Sequence, residues 1–234
     1  MVRQVICALD TSSLEEALQT VRQLGSHVGA FKIGHALVLP HGLDVIRQLQ
    51  DAGASRIFLD LKFHDIPNVV ALAVREAARA GVWMLTLHIA GGTAMMVAAE
   101  EEAKNFGEAA PLLMGVSVLT SLDQHSLQDH LGVQRSVTEQ VQTLSTLAIS
   151  CGLDGVICPP PELRNLRSRL GHEGILVAPG IRLPSQDIGD QKQVGTPNQA
   201  IQDGANYVVM GRALSQMPDI ERFFADLNEA GTAV

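Results

Sequence analysis

Short aliphatic runs recur along the chain at nearly even spacing. They are VICALD from Val5, AFKIGH from Ala30, IFLDLKF from Ile57, MLTLHI from Met84 and PLLMGVSVL from Pro111, followed by GVICP from Gly155, ILVAPGI from Ile175 and YVVMGR from Tyr207. Runs this short, bounded by turn residues, read as strands covered by helices. The segments between them carry helical periodicity: from Ser13 to Leu24, the residues Leu14, Ala17, Leu18 and Val21 fall on one face, and Ser13 with Glu16 has capping-box spacing. DAGASRIF, RAGVWML, SCGLDGVI and QDGANYVV each place a glycine where a helix stops and a strand begins.

Eight strand and helix alternations in 234 residues give about 29 residues per unit, the repeat of an eight-stranded parallel (β/α) barrel of the TIM type. No linker or composition shift divides the chain, so one domain over residues 1–234 is expected. A doubly wound open sheet permits the same alternation. Its dinucleotide fingerprint, G-x-G-x-x-G after the first strand, is missing, and ALDTSSLEE stands there instead.

Composition narrows the function classes. Hydrophobic residues make up 46% and aromatic residues only 3%, so the core is expected to be built from Ala, Val, Ile and Leu. A net charge of -8 argues against nucleic acid or an anionic membrane as partner. Three cysteines, Cys7, Cys151 and Cys158, without paired spacing argue against a disulfide framework or a zinc site and favour a reducing compartment. The amino terminus reaches Asp10 after one short apolar stretch, which leaves no room for a signal peptide. No apolar run approaches the roughly 18 residues of a membrane span. A soluble, cytoplasmic protein is expected.

In a barrel the chemistry collects at the carboxyl ends of the strands. Here those ends carry Asp10, Lys32, the Asp60, Lys62 and Asp65 group, His88, Thr120, Arg182, Gly211 and Arg212. Strand alternation points Asp60 and Lys62 to the same side, about 7 Å apart along the chain. A buried structural ion pair is one reading. The other is a catalytic network extended by Lys32 and Asp65, whose carboxylates favour the ammonium form of lysine and so suit it to general acid work rather than amine attack. Asp10 has the alternative of capping the next helix. VMGRAL puts Gly211 and Arg212 where backbone amides and a guanidinium can meet a phosphate, with pairing to a surface carboxylate as the alternative. The polar stretch LPSQDIGDQKQVGTP, residues 183–197, is long enough to act as a lid over that phosphate, or is a plain surface excursion. The eight histidines are scattered, with no H-x-x-x-H or H-E-x-x-H spacing, so no metal site is expected; His88, beside Gly91 and Gly92, can line the site.

LDLKFHDIPN resembles the D-x-K-x-x-D signature of the orotidine 5′-phosphate decarboxylase family, and LHIAGG, VLTS, PGIR, DQKQV and VMGR follow in the order of its bacterial type. The likeness runs from ALD at residue 8 to VMGR at residue 209. D-x-K-x-x-D alone is shared with related sugar-phosphate decarboxylases, whereas HDIPN, PGIR and DQ are more specific. The resemblance implies a (β/α) barrel homodimer that converts orotidine 5′-phosphate to UMP and carbon dioxide, the last step of de novo UMP synthesis, without metal or organic cofactor. It implies Lys62 as proton donor, Asp60 against the departing carboxylate, Lys32 as a bridge between carboxylates and ribose, and Asp65 reaching into the neighbouring subunit. It further implies Asp10 on a ribose hydroxyl, Thr120 positioning substrate, and Arg182, Gln191, Gly211 and Arg212 on the phosphate. Gln193 stands where the family pattern leads one to expect a basic residue. Two rivals are a magnesium-dependent sugar-phosphate relative on the same charged strand and a phosphate-sensing barrel without turnover; a mere binder has no need of the full lysine and carboxylate set.

Overall fold

In the computed structural model the eight aliphatic runs form eight parallel strands. They are β1 (Val5–Ala8), β2 (Ala30–Gly34), β3 (Ile57–Phe63), β4 (Met84–His88), β5 (Leu112–Val116), β6 (Gly155–Ile157), β7 (Ile175–Ala178) and β8 (Tyr207–Met210). The structure describes residues 4–172, 174–181, 195–211, 214, 217 and 220–231, the last six by backbone alone. Neighbours in sequence are neighbours in the sheet, and β8 returns to β1 through the register Val5↔Val208, Ile6↔Val209 and Cys7↔Met210. That closure makes a TIM barrel and excludes the doubly wound sheet.

The helices lie between the strands: α1 (Leu14–Leu24), α2 (His35–His41), α3 (Asp44–Asp51), α4 (Pro67–Arg79), α5 (Thr93–Lys104), α6 (Val137–Ser150), α7 (Leu163–Leu170) and α8 (Pro197–Gln202), with a further helix at Ile220–Gly231. The four glycines read as helix stops, Gly53, Gly81, Gly152 and Gly204, all take positive φ, the left-handed turn that releases the chain into the next strand. At α1 only half of the expected capping box forms. Ser13 Oγ accepts from the Glu16 amide at 3.3 Å, but the Glu16 carboxylate accepts from the Thr11 hydroxyl at 2.7 Å. The complete box sits at α6, between Ser136 and Glu139. Among the described residues no helix is long and apolar enough to cross a membrane.

Alternation along each strand divides the core in two. Val5, Cys7, Phe31, Ile33, Ile57, Leu59, Leu85 and Leu87 point outward and pack under the helices. Ile6, Ala30, Phe58, Met84, Met114, Val177 and Val209 point inward and fill the barrel. Two residues further along the same inward face, the chemistry changes. Ala30 gives way to Lys32, Phe58 to Asp60 and Met84 to Thr86, so the barrel is apolar below and polar at its carboxyl mouth.

Candidate active site

Asp60, from the middle of β3, is the centre of the polar layer. Its Oδ1 accepts from Lys62 Nζ at 2.8 Å and from the Thr86 hydroxyl at 2.9 Å, and its Oδ2 lies 3.6 Å from Lys32 Nζ. Lys32 turns to a second carboxylate, donating to Asp10 Oδ1 at 3.0 Å. The order Asp10, Lys32, Asp60, Lys62 is an alternating chain of charge across β1, β2 and β3. Burial alone would raise the Asp60 carboxyl, but Lys32, Lys62 and the hydrogen bonds from Lys62 and Thr86 outweigh it and hold it below the usual carboxylate range. The helix-cap alternative for Asp10 does not apply, because Ser13 caps α1.

Lys62 departs from the regular strand expected of LDLKF. Its φ is +50°, the only positive value outside glycine among the described residues, and the pairing of β3 with β4 shifts register between Leu59 and Phe63. A side-chain-bearing residue in that region costs about 1–2 kcal/mol, and such strain gathers at functional positions. The local cause is visible: the Lys62 amide leaves the ladder and donates to Thr86 Oγ1 at 2.9 Å. Period-two reasoning put Asp60 and Lys62 on one side; the twist at Lys62 then brings the ammonium back onto the carboxylate two residues before it.

Thr86 was not among the residues singled out by sequence, since a threonine inside an aliphatic run carries no signal of its own. It is only 1% exposed. His88, two residues on, lies at the strand end with its ring 5.3 Å from that of His64. Burial, then His64 and Lys62, lower the His88 imidazole, against an opposing pull from Asp60. It therefore belongs to the edge of the site as a neutral ring.

Two cavities meet at Lys62. One, of about 230 Å³, is lined by Asp60, Lys62, Thr120, Ser121 and Cys158 above Phe58. Burial pushes the Cys158 thiol up to about 12, which removes it as a nucleophile. The other, of about 360 Å³, is lined by His35, Lys62, His64, Asp65 and Val69. Asp65 is exposed and its carboxylate accepts from the Ile66 amide at 2.7 Å, so within one chain it does not join the lysines as the strand reading expected. The reason is the turn into α4, which carries Asp65 away from the barrel axis. Gly211, after β8, faces Asp10 across the mouth: a side chain there would stand 3.6 Å from Asp10 Oδ2. Arg182, Gln191, Gln193 and Arg212, with all of the expected lid except residues 195–197, lie outside the described residues.

The exposed apolar residues include Leu39 on α2 and Ile66, Val69 and Leu72 at and within the start of α4, beside Asp65. Sequence periodicity alone did not announce this face, because α4 also has a buried stripe of Val70, Val74, Ala77 and Ala78 that accounts for its pattern.

A closed (β/α) barrel, apolar below and carrying side chains from several strand ends into one cavity at its carboxyl mouth, is a barrel of the enzyme class. Residues 3–222 match the model of the family described as Orotidine 5′-phosphate decarboxylase / HUMPS family, and the chain belongs to that family. It is 43% identical over 228 residues to the orotidine 5′-phosphate decarboxylase of Pseudoalteromonas translucida, covering 97% of each chain. It is 45% identical over 216 residues to that of Haemophilus ducreyi, covering 92% of this chain and 93% of the relative. Among solved structures, an uncharacterized conserved protein from Geobacillus kaustophilus superposes with a TM-score of 0.84 at 32% identity, covering 97% of this chain and 99% of that one. Orotidine 5′-phosphate decarboxylase from Lactobacillus acidophilus superposes with a TM-score of 0.82 at 31% identity, covering 98% and 99%.

Proposed function

We propose that this chain decarboxylates orotidine 5′-phosphate to UMP in pyrimidine synthesis, as a single barrel spanning residues 1–234, and that it does so with its own side chains. The observation that carries the reading is one buried carboxylate, Asp60, held between two lysines at the mouth of a cavity. The names of the relatives above point to the same substrate.

In this reading the substrate's carboxylate enters beside Asp60. The bond from the ring carbon to that carboxylate breaks, carbon dioxide leaves, and the electron pair remains on the ring carbon as a vinyl carbanion. Lys62 Nζ stabilises that charge and then gives it a proton, and the resulting amine recovers its proton from solvent. The alternating charges keep the ammonium aimed before the substrate arrives, so little reorganisation is needed as charge develops. Lys32 bridges Asp10 and Asp60 toward the ribose, Asp10 takes a ribose hydroxyl, and Thr120 positions the ring. Arg182, Gln191, Gly211 and Arg212 hold the phosphate, whose binding energy assembles the site.

The protein acts as a homodimer in the cytoplasm, with no nucleic acid or membrane partner. The exposed Leu39, Ile66, Val69 and Leu72 support an apolar contact between subunits, and the adjacent exposed Asp65 reaches into the partner's site. The function is tested by following the ultraviolet change of orotidine 5′-phosphate with purified protein in excess chelator. Sustained turnover to UMP is expected. Absence of turnover, or turnover restored only by added magnesium, would overturn the reading.

A further inference from the structure

We infer that Thr86 is a positioning residue for Lys62, one hydroxyl that fixes the reactive lysine by its backbone and by its counter-ion at once. The inference rests on the decarboxylase reading for the role of Lys62, and on geometry for the rest. The Thr86 hydroxyl has a single proton, and that proton goes to Asp60 Oδ1, an atom that only accepts. Its lone pair is therefore turned to the Lys62 amide. Asp60 Oδ1 in turn accepts from Lys62 Nζ. The three bonds close a ring that starts at the Lys62 amide and returns to the Lys62 ammonium through Thr86 and Asp60.

Each part of that ring has a reason to be there. A lysine at φ +50° has lost its place in the β3 ladder, and its amide needs another acceptor. Thr86, on the neighbouring strand and 1% exposed, supplies the acceptor where water is excluded. The same hydroxyl gives Asp60 Oδ1 a second donor beside Lys62 Nζ, on an element other than its own strand. Asp60 faces Lys32 from β2, Lys62 from its own strand, and Thr86 with His88 from β4, so loss of Thr86 leaves its carboxylate held by the lysines alone. Both ends of Lys62 then gain freedom, and misplacement of a proton donor lowers the rate of the chemical step more than it lowers binding.

The test compares Thr86→Val, which keeps the shape and deletes both hydrogen bonds, with Thr86→Ser, which keeps the hydroxyl. For Thr86→Val, kcat on orotidine 5′-phosphate should fall about 10- to 100-fold with KM changed less than about threefold. The acid limb of its kcat profile should move to higher pH, because Asp60 loses a hydrogen bond that favours its ionised form. Thr86→Ser should stay within about threefold of the parent. If the valine protein does not fold, Thr86→Ala carries the same expectations. An unchanged kcat and acid limb in the folded variant, or a serine protein as impaired as the valine one, would overturn the inference. A parent protein without turnover would instead overturn the decarboxylase reading, so the two failures are distinguishable.

Discussion

The two ends of the barrel are built from the same strands and follow opposite rules. At the amino end Trp83 meets Tyr207 edge-on, with ring centroids 5.3 Å apart, and Arg56 lies 5.0 Å over the Trp83 ring. Arg167 of α7 donates to the carbonyls of Gly171, Gly174 and Gly204 and to Asn206 Oδ1, which also accepts from the Leu176 amide and so ties the starts of β7 and β8 together. Each of these Arg167 partners is an acceptor matched to a donor, and among the described residues positive φ at this end is confined to glycine. At the carboxyl end, two lysines and two carboxylates converge and one lysine sits at positive φ. The amino end thus pairs its polar groups without cost to the backbone, whereas the carboxyl end holds like charges close together and one lysine at positive φ, an arrangement that suits the proposed chemistry better than it suits stability.

That contrast breaks most visibly at Arg167. Arg167→Ala orphans several carbonyls and the Asn206 side chain, and should cost about 3 kcal/mol in urea unfolding. Turnover per folded molecule should remain within about twofold of the parent. A loss below about 1 kcal/mol, or a specific loss of turnover, would blur the distinction between the two ends.

Acid should attack the mouth first, in two stages. Folding lowers the His88 imidazole, so its contribution to stability is complete above the ordinary histidine value near 6.5 and is lost as pH falls below it. Folding also lowers Asp60, whose contribution is complete above the ordinary carboxylate value near 3.9 and is lost as pH falls from there through the folded value. Urea midpoints measured across this range should therefore decline toward acid, and His88→Asn should remove the upper stage only. A stability profile flat from neutral pH to about 4 would contradict the shift assigned to His88.

The smallest effect concerns the strained lysine itself. Lys62→Gly and Lys62→Ala both delete the ammonium, so their difference reports the backbone. The glycine protein should be more stable by about 1 kcal/mol, since glycine alone takes positive φ without a Cβ penalty. Equal midpoints would mean that the left-handed conformation is not held when the ammonium is gone.

Much of this was legible in the residues. Eight aliphatic runs and four glycine stops specify the barrel because period and punctuation are local. Asp10, Lys32, Asp60 and Lys62 could be gathered in advance because a barrel brings strand ends together whatever the details. Thr86 and the conformation of Lys62 could not, because both depend on how β3 is registered against β4, which is a contact between residues 24 positions apart. Nor could the free apolar face at the start of α4, since Val69 and Leu72 differ from the buried Val70 and Val74 only by what lies opposite them. Asp65 lies two residues past the end of β3, in the turn before Pro67, and its carboxylate meets the Ile66 amide rather than a lysine of the same chain, a matter of direction that pattern does not carry.

If the charges at the mouth serve to present one proton donor, turnover of orotidine 5′-phosphate must collapse in Lys62→Ala. With folding verified by the single tryptophan and a cooperative melt, kcat should fall by at least about 10⁴-fold, beyond what removal of one ordinary hydrogen bond explains. A folded Lys62→Ala protein that retained turnover within about tenfold of the parent would contradict it.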